Sequence, residues 1–266
     1  SNTGDTLIGT EADQLIQAGT GNDSIGSKYG SSSLYGNSGN DTFFANSNVP
    51  GVGVGSTLSG AQGSDSFAFG TYGLTSVYVG AGDDGDTFNL EGPIVSSSLY
   101  GVAGSDSLRI ATSQVLGAEL RGDAGDDTID ITGSVISSSV RGGADADRIT
   151  VTGTVIGSTL AGGVGADLID VKELVQGSSV LLGSATDPAD GNDTLLARGF
   201  FTASFASGEL GDDSLSFERG ATASTISGGS GNDSVVVGLG LTASTVSGDD
   251  DNDFLSVSGV ASSVSL

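Results

Sequence analysis

Between Arg141 and Val171 the alternation of apolar and polar positions is written nearly twice: Ile149 and Val151 return twenty residues later as Ile169 and Val171, each pair behind a glycine-rich stretch with one aspartate. Anchoring on that aspartate extends the columns through the chain. Two residues after the anchor stand Ile25, Phe43, Phe67, Phe88, Leu108, Ile129, Ile149, Ile169, Leu195, Leu215, Val235 and Leu255. Four residues after it, from the second anchor onward, every position from Ala45 and Phe69 to Val237 and Val257 is apolar, and the residues between are mostly polar. Alternation with a period of two predicts a strand that buries one face. A second apolar position lies about eight residues after the anchor (Ile94, Val135, Val155, Val175, Leu241), and a third seven before it (Leu34, Leu58, Leu99, Leu120, Val140, Leu160, Ile226, Val246). Two residues ahead of the third comes a small residue, often in a Ser-Ser or Ser-Thr pair, as at Ser32, Ser97, Ser138, Ser158 and Ser224. Helical 3.6 spacing appears nowhere.

The anchors are Asp23, Asp41, Asp65, Asp86, Asp106, Asp127, Asp147, Asp167, Asp193, Asp213, Asp233 and Asp253. Most intervals are 20 or 21, and the long ones coincide with irregular inserts at 45–56 and 184–193. One unit reads as strand, glycine-rich turn with Asp, strand, looser turn. A unit this short cannot bury its apolar face alone, so stability must come from stacked neighbours. The fold predicted is all-β: a parallel β-helix or β-roll solenoid of about 20 residues per coil, with two sheets and no helix. About thirteen coils at roughly 4.8 Å each would give a rod on the order of 60 Å long. The whole of 1–266 is expected to be one such solenoid, and a segment of a longer polypeptide.

Composition narrows the picture. The chain has 46 Gly, 3 Pro and no Cys, Met, Trp or His. It carries 33 acidic against 8 basic residues, net −25, so nothing here could neutralise a phosphate backbone and nucleic acid is excluded as a partner. No apolar run approaches a membrane span, and without His or Cys neither zinc nor copper has its usual ligands.

Glycine recurs five residues before the anchor (36, 60, 101, 122, 142, 162, 208, 228, 248) and again two before it. The full pattern stands in "GGVGADLID" (162–170) and "GGSGNDSVV" (228–236). Here the chain resembles the RTX (repeats-in-toxin, haemolysin-type) calcium-binding family over nearly its whole length. The resemblance implies Ca²⁺ held by turn carbonyls and by the twelve anchor aspartates, in the one-motif-per-coil variant of bacterial surface-layer and adhesin proteins. Tandem repeats of that family place the motif on both turns of an 18-residue coil. Here one turn carries it, which implies a single row of ions. The second glycine is often replaced (Asn37, Ala61, Val102, Asp123, Glu209, Asp249), so individual sites are expected to be weak. The turn at Asp84 and Asp86 reads as carrying an extra residue, and Asp193 follows an insert.

Electrostatics points the same way. Stacked coils would line about a dozen carboxylates along one edge, neighbours roughly 5 Å apart, each repelling the next by about 0.8 kcal/mol in water and several-fold more at a protein-like dielectric. Asp84, Asp126, Asp145, Asp212 and Asp251 add to that edge, and only Arg121 and Arg141 stand near enough to help. Roughly eleven Ca²⁺ between successive turns would supply about +22. Carboxylate and carbonyl oxygens in a flexible loop suit Ca²⁺ better than Mg²⁺.

Three function classes remain. The leading expectation is an extracellular, calcium-binding structural segment of a bacterial surface-layer, adhesin or filament protein, with calcium ions and further coils or copies of itself as partners. Alternatives are an accessory repeat domain of a secreted enzyme or toxin, and a ligand- or ice-binding module. The last would want a flat outward Thr ladder, but Thr20 is followed in its column by Ser38, Gln62 and Val164. Catalysis is not expected: Asp130 and Asp170 read as solvated strand residues, and no His, Cys or G-x-S-x-G supports a nucleophile. Tyr29, Tyr35, Tyr72, Tyr78 and Tyr100 cluster in the first half, either as a sugar-binding patch or as rings continuing the apolar columns.

Overall fold

The computed structural model describes residues 4–28, 30–45 and 54–262. The chain divides into two compact units, Ser1–Thr132 and Gly133–Leu266. Each is a parallel β-solenoid without a helix among the described residues. A coil of the second unit shows the plan: a long strand Thr159–Val164, the aspartate turn, a four-residue strand Leu168–Val171, and a short strand Val175–Gln176. The first unit repeats it at Ser98–Ala103, Ser107–Ile110 and Gln114–Leu116.

Like strands pair in parallel register with those of neighbouring coils. Ile149 lies beside Ile169 and Val151 beside Val171, as the columns predict. In the first unit Phe43, Phe67 and Phe88 stack with centroids 4.7 and 4.8 Å apart, fully buried. Identical residues one coil apart thus pack on each other and each coil supplies its neighbour's missing hydrophobic wall.

The expectation of two sheets is corrected to three. The apolar position eight after the anchor does not sit in a loose turn. It lies in the short strand, pairing Ile94 with Val115 and Val155 with Val175. Two or three residues suffice because each strand is clamped between copies of itself.

A serine ladder fixes the corner after that strand. The backbone N–H of Ser158 donates to Ser178 Oγ at 3.2 Å, Ser178 to Ser204 at 3.2 Å, and Ser204 to Ser224 at 3.2 Å. Each hydroxyl donates back to the carbonyl two residues earlier, as Ser178 does to Gln176 at 2.9 Å. The residue before each serine is left-handed, with φ of 56° at Gly157, 57° at Gly177, 52° at Ala223 and 50° at Ala243. A non-glycine there costs about 1–2 kcal/mol in the folded state, partly offset by glycine's larger loss of chain freedom. Ala223→Gly is therefore expected to raise unfolding stability by about 0.5–1 kcal/mol. An unchanged or lowered urea midpoint would show that backbone conformation does not limit this corner.

Candidate metal centre

The aspartate turn is built from left-handed residues. In "GGVGADLID" Gly163 has φ 132° and Gly165 φ 134°, which swing the chain around so that Asp167 points inward. A Cβ on Gly162 would lie 2.4 Å from Asp167 Oδ2, so glycine at that position makes room for the carboxylate. The same near-contact recurs at Gly36 with Asp41, Gly101 with Asp106, Gly208 with Asp213 and Gly228 with Asp233. The anchors therefore do not form a solvated edge. From Asp23 to Asp233 they are buried, each no more than 3 % exposed, and Asp253 in the last described turn is half-buried.

One oxygen of each carboxylate has a clear role. In the first unit Oδ1 of Asp23, Asp41, Asp65, Asp86, Asp106 and Asp127 accepts the backbone N–H of the corresponding aspartate one coil earlier, at 2.6–2.7 Å. In the second unit Asp167, Asp193, Asp213 and Asp253 accept from Asp147, Asp167, Asp193 and Asp233 at 2.7–3.0 Å, and Asp233 accepts from Asp213. The other oxygen does not. Oδ2 of Asp23, Asp41, Asp65, Asp86, Asp106, Asp167, Asp193, Asp213 and Asp233 is buried with no hydrogen-bond partner.

Burial pushes the carboxyls of Asp41, Asp65, Asp86, Asp106, Asp167, Asp193, Asp213 and Asp233 up, and neighbouring acidic charges add to it against the lowering effect of the accepted N–H. Asp65, Asp106, Asp167 and Asp213 rise to about 7, and Asp86 and Asp193 to about 8. Ionising a carboxyl held this far above its ordinary range costs on the order of 4 kcal/mol, a large fraction of a domain's stability.

The preceding residue forms a second ladder, running the other way, that sequence reasoning missed. Asn22 Oδ1 accepts the N–H of Asn40 in the next coil at 2.9 Å, Asn192 that of Asp212 at 2.9 Å, and Asp212 that of Asn232 at 2.7 Å. An Asn-Asp pair thus ties its turn to the coils on both sides. Asp84, Asp126, Asp145, Asp212 and Asp251 face solvent outside the turn and are not part of the buried column. Arg121 pairs with Glu119 and comes within 4.0 Å of Asp123, while Arg141 bonds Ser139.

Where the second glycine is replaced the turn is kept: φ is 78° at Asn37, 87° at Ala61, 90° at Val102, 80° at Glu209 and 76° at Asp249, and the ladder continues through these coils. The turn at Asp86 carries no extra residue. Tyr78–Asp83 pairs in register with Thr57–Gln62, and the additional residue of that interval lies in the 70–73 corner. Ala81 stands five residues before the anchor, where most coils have glycine and the first coil has Ala18. After the 184–193 insert Asp193 still takes its rung. The insert also brings in Asp190, half-buried, accepting the N–H of Ser184 at 2.6 Å. Its charge raises Asp167, Asp193 and Asp213, and no column of the repeat marks it in the sequence.

Asp130 is exposed as expected, but Asp170 is not solvated: it is 3 % exposed and paired with Lys172 and with Arg198, the latter at 2.9 Å. Burial alone would raise its pKa, but the hydrogen bonds from Arg198 and Lys172 outweigh burial and lower it. The tyrosines do not continue the apolar columns either. Tyr72 and Tyr78 are exposed, Tyr35 and Tyr100 half-buried, and Tyr29 lies outside the described residues.

The donor set fits a hard divalent cation: an orphaned carboxylate oxygen at each of nine turns, glycines that open most of those turn interiors, and no thiolate or imidazole. Among the described residues no three acidic side chains converge, so backbone carbonyls would have to complete any coordination shell. A solved structure shares this architecture, the X-ray crystal structure of a hyperactive, Ca²⁺-dependent, beta-helical antifreeze protein from an Antarctic bacterium. It matches 81% of this chain and 80% of its own with a TM-score of 0.54 at 20% identity. At that identity the likeness establishes the fold, a parallel β-solenoid. No protein-family model matches the chain, and no curated protein matches it.

Proposed function

We propose that this chain is an extracellular, calcium-binding structural repeat protein, a segment of a bacterial surface layer, adhesin or filament, whose inward aspartates hold a row of Ca²⁺ between coils. The observation that carries the reading is the set of nine buried, unpartnered Oδ2 atoms along the aspartate turns, from Asp23 to Asp233. Bound calcium would replace the proton each buried carboxyl otherwise needs, and so couple folding to the high calcium of an external medium. The calcium dependence of the similarly folded antifreeze protein supports it. The proposed role is non-catalytic, consistent with Asp170 being locked in ion pairs. Circular dichroism and sedimentation at neutral pH test the proposal: an expanded, disordered chain in excess chelator should become a compact β-rich particle when calcium is restored. A chain equally folded in chelator would rule out calcium-coupled folding.

A second reading, ice binding, is favoured by one surface. Thr222 stacks on Thr242 and Thr225 on Thr245 in register, all four exposed, on either side of the serine corner. These columns lie away from the turn that holds Thr20. Thermal hysteresis in the calcium form, lost in Thr222→Val with Thr242→Val, would support this reading, and its absence in the parent would remove it.

A further inference from the structure

The outward side of the long strands in the first unit carries an organised group of polar and aromatic side chains unrelated to the aspartate column. Tyr78 stands beside Ser98 in register, Gly80 beside Tyr100, and Tyr100 beside Arg121. Because residue 80 has no side chain, the Tyr78 ring folds over it; a Cβ there would meet Tyr78 Oη at 3.3 Å and Cε1 at 3.4 Å. The ring packs against Tyr100 with centroids 5.5 Å apart and planes tilted by 56°. Tyr100 is fixed in turn: its hydroxyl donates to Glu119 Oε2 at 2.7 Å, and the Arg121 guanidinium lies 5.5 Å from its ring centroid. Arg121 Nε donates to Glu119 Oε1 at 2.8 Å, which closes the network.

From this arrangement we infer that Tyr78, Tyr100, Glu119 and Arg121 form a binding platform for a neutral saccharide chain. Tyr78 remains 45 % exposed and presents a rigid apolar ring whose position is already set by Gly80 and Tyr100. Beside it, carboxylate, guanidinium and phenol groups are held by one another, so little side-chain freedom remains to be lost on binding. A pyranose ring has the matching character, a flat C–H face bordered by hydroxyls that donate and accept. Charge selects a neutral ligand: Arg121 is balanced by Glu119 locally, while the chain's net −25 repels polyanions.

The test uses the full chain in calcium buffer with cellohexaose, laminarihexaose and mannohexaose as probes. Since the chain has no Trp, Tyr78→Trp introduces a single indole reporter that keeps an aromatic ring at the site. Saturable blue-shifted emission with at least one probe is expected. In the parent, NMR titration should perturb the Tyr78 and Tyr100 ring protons with the same probe. Tyr78→Ala should weaken binding about tenfold or more, the equivalent of about 1.4 kcal/mol, with the circular dichroism of the parent, and Tyr78→Phe should restore it. No perturbation by any of the three at millimolar concentration, or binding unchanged in Tyr78→Ala, would overturn the inference. The platform depends on the β-solenoid alone, so its failure would leave the calcium reading intact.

Discussion

Freed of divalent cations, this protein should lose stability as pH rises from about 4 to about 8, the reverse of ordinary acid denaturation. Carboxyls whose folded pKa lies near 7 or 8, against an ordinary value of 3.8, bind more protons in the native state throughout that window. Their contribution is complete below about pH 4 and is lost as pH climbs through the folded values. Asp65, Asp86, Asp106, Asp167, Asp193 and Asp213 are all raised this far, so the loss is shared by rungs in both units. Circular dichroism in excess chelator at acidic, neutral and mildly alkaline pH should show a monotonic loss of β structure, and calcium should flatten it. A cation-free stability maximum near neutrality would mean that the rungs titrate as solvated carboxylates.

Asp106→Asn should change stability in opposite directions with and without calcium. The amide oxygen can still accept the Asp86 N–H that Asp106 Oδ1 accepts at 2.6 Å, while the atom facing Gly101 becomes neutral. In chelator the substitution removes a buried carboxyl raised to about 7, so the variant should keep its β structure to a higher pH than the parent, a gain of roughly 2–4 kcal/mol. In calcium it removes an anionic ligand, and stability should fall by a similar amount. A purely structural ladder of polar side chains predicts little change in calcium, so paired unfolding curves of parent and variant decide between the two.

The strand columns were plain in the sequence because each coil buries its apolar residues against copies of themselves, which forces the same residue type to the same place. The inward turn of the aspartates was not. Strand alternation says nothing about side-chain direction through a turn; that direction comes from left-handed residues such as Gly163 and Gly165, and from the space that Gly162 leaves open. The third sheet was hidden by its length, since Val155–Ile156 is too short to show a period. The outward placement of Tyr35 and Tyr100 could have been read: each follows a core residue, Leu34 or Leu99, and parity sends it to the other side. Asp190 had no such signal, because it belongs to an insert and reaches the column only through folding.

The central claim, that the aspartate column is a row of calcium sites, is tested most directly by counting calcium bound per chain at equilibrium near pH 7.5, with folding followed in the same samples. About eleven ions are expected, one between each pair of successive turns, taken up as β structure forms. A folded chain that binds none, or only an isolated ion, would contradict it.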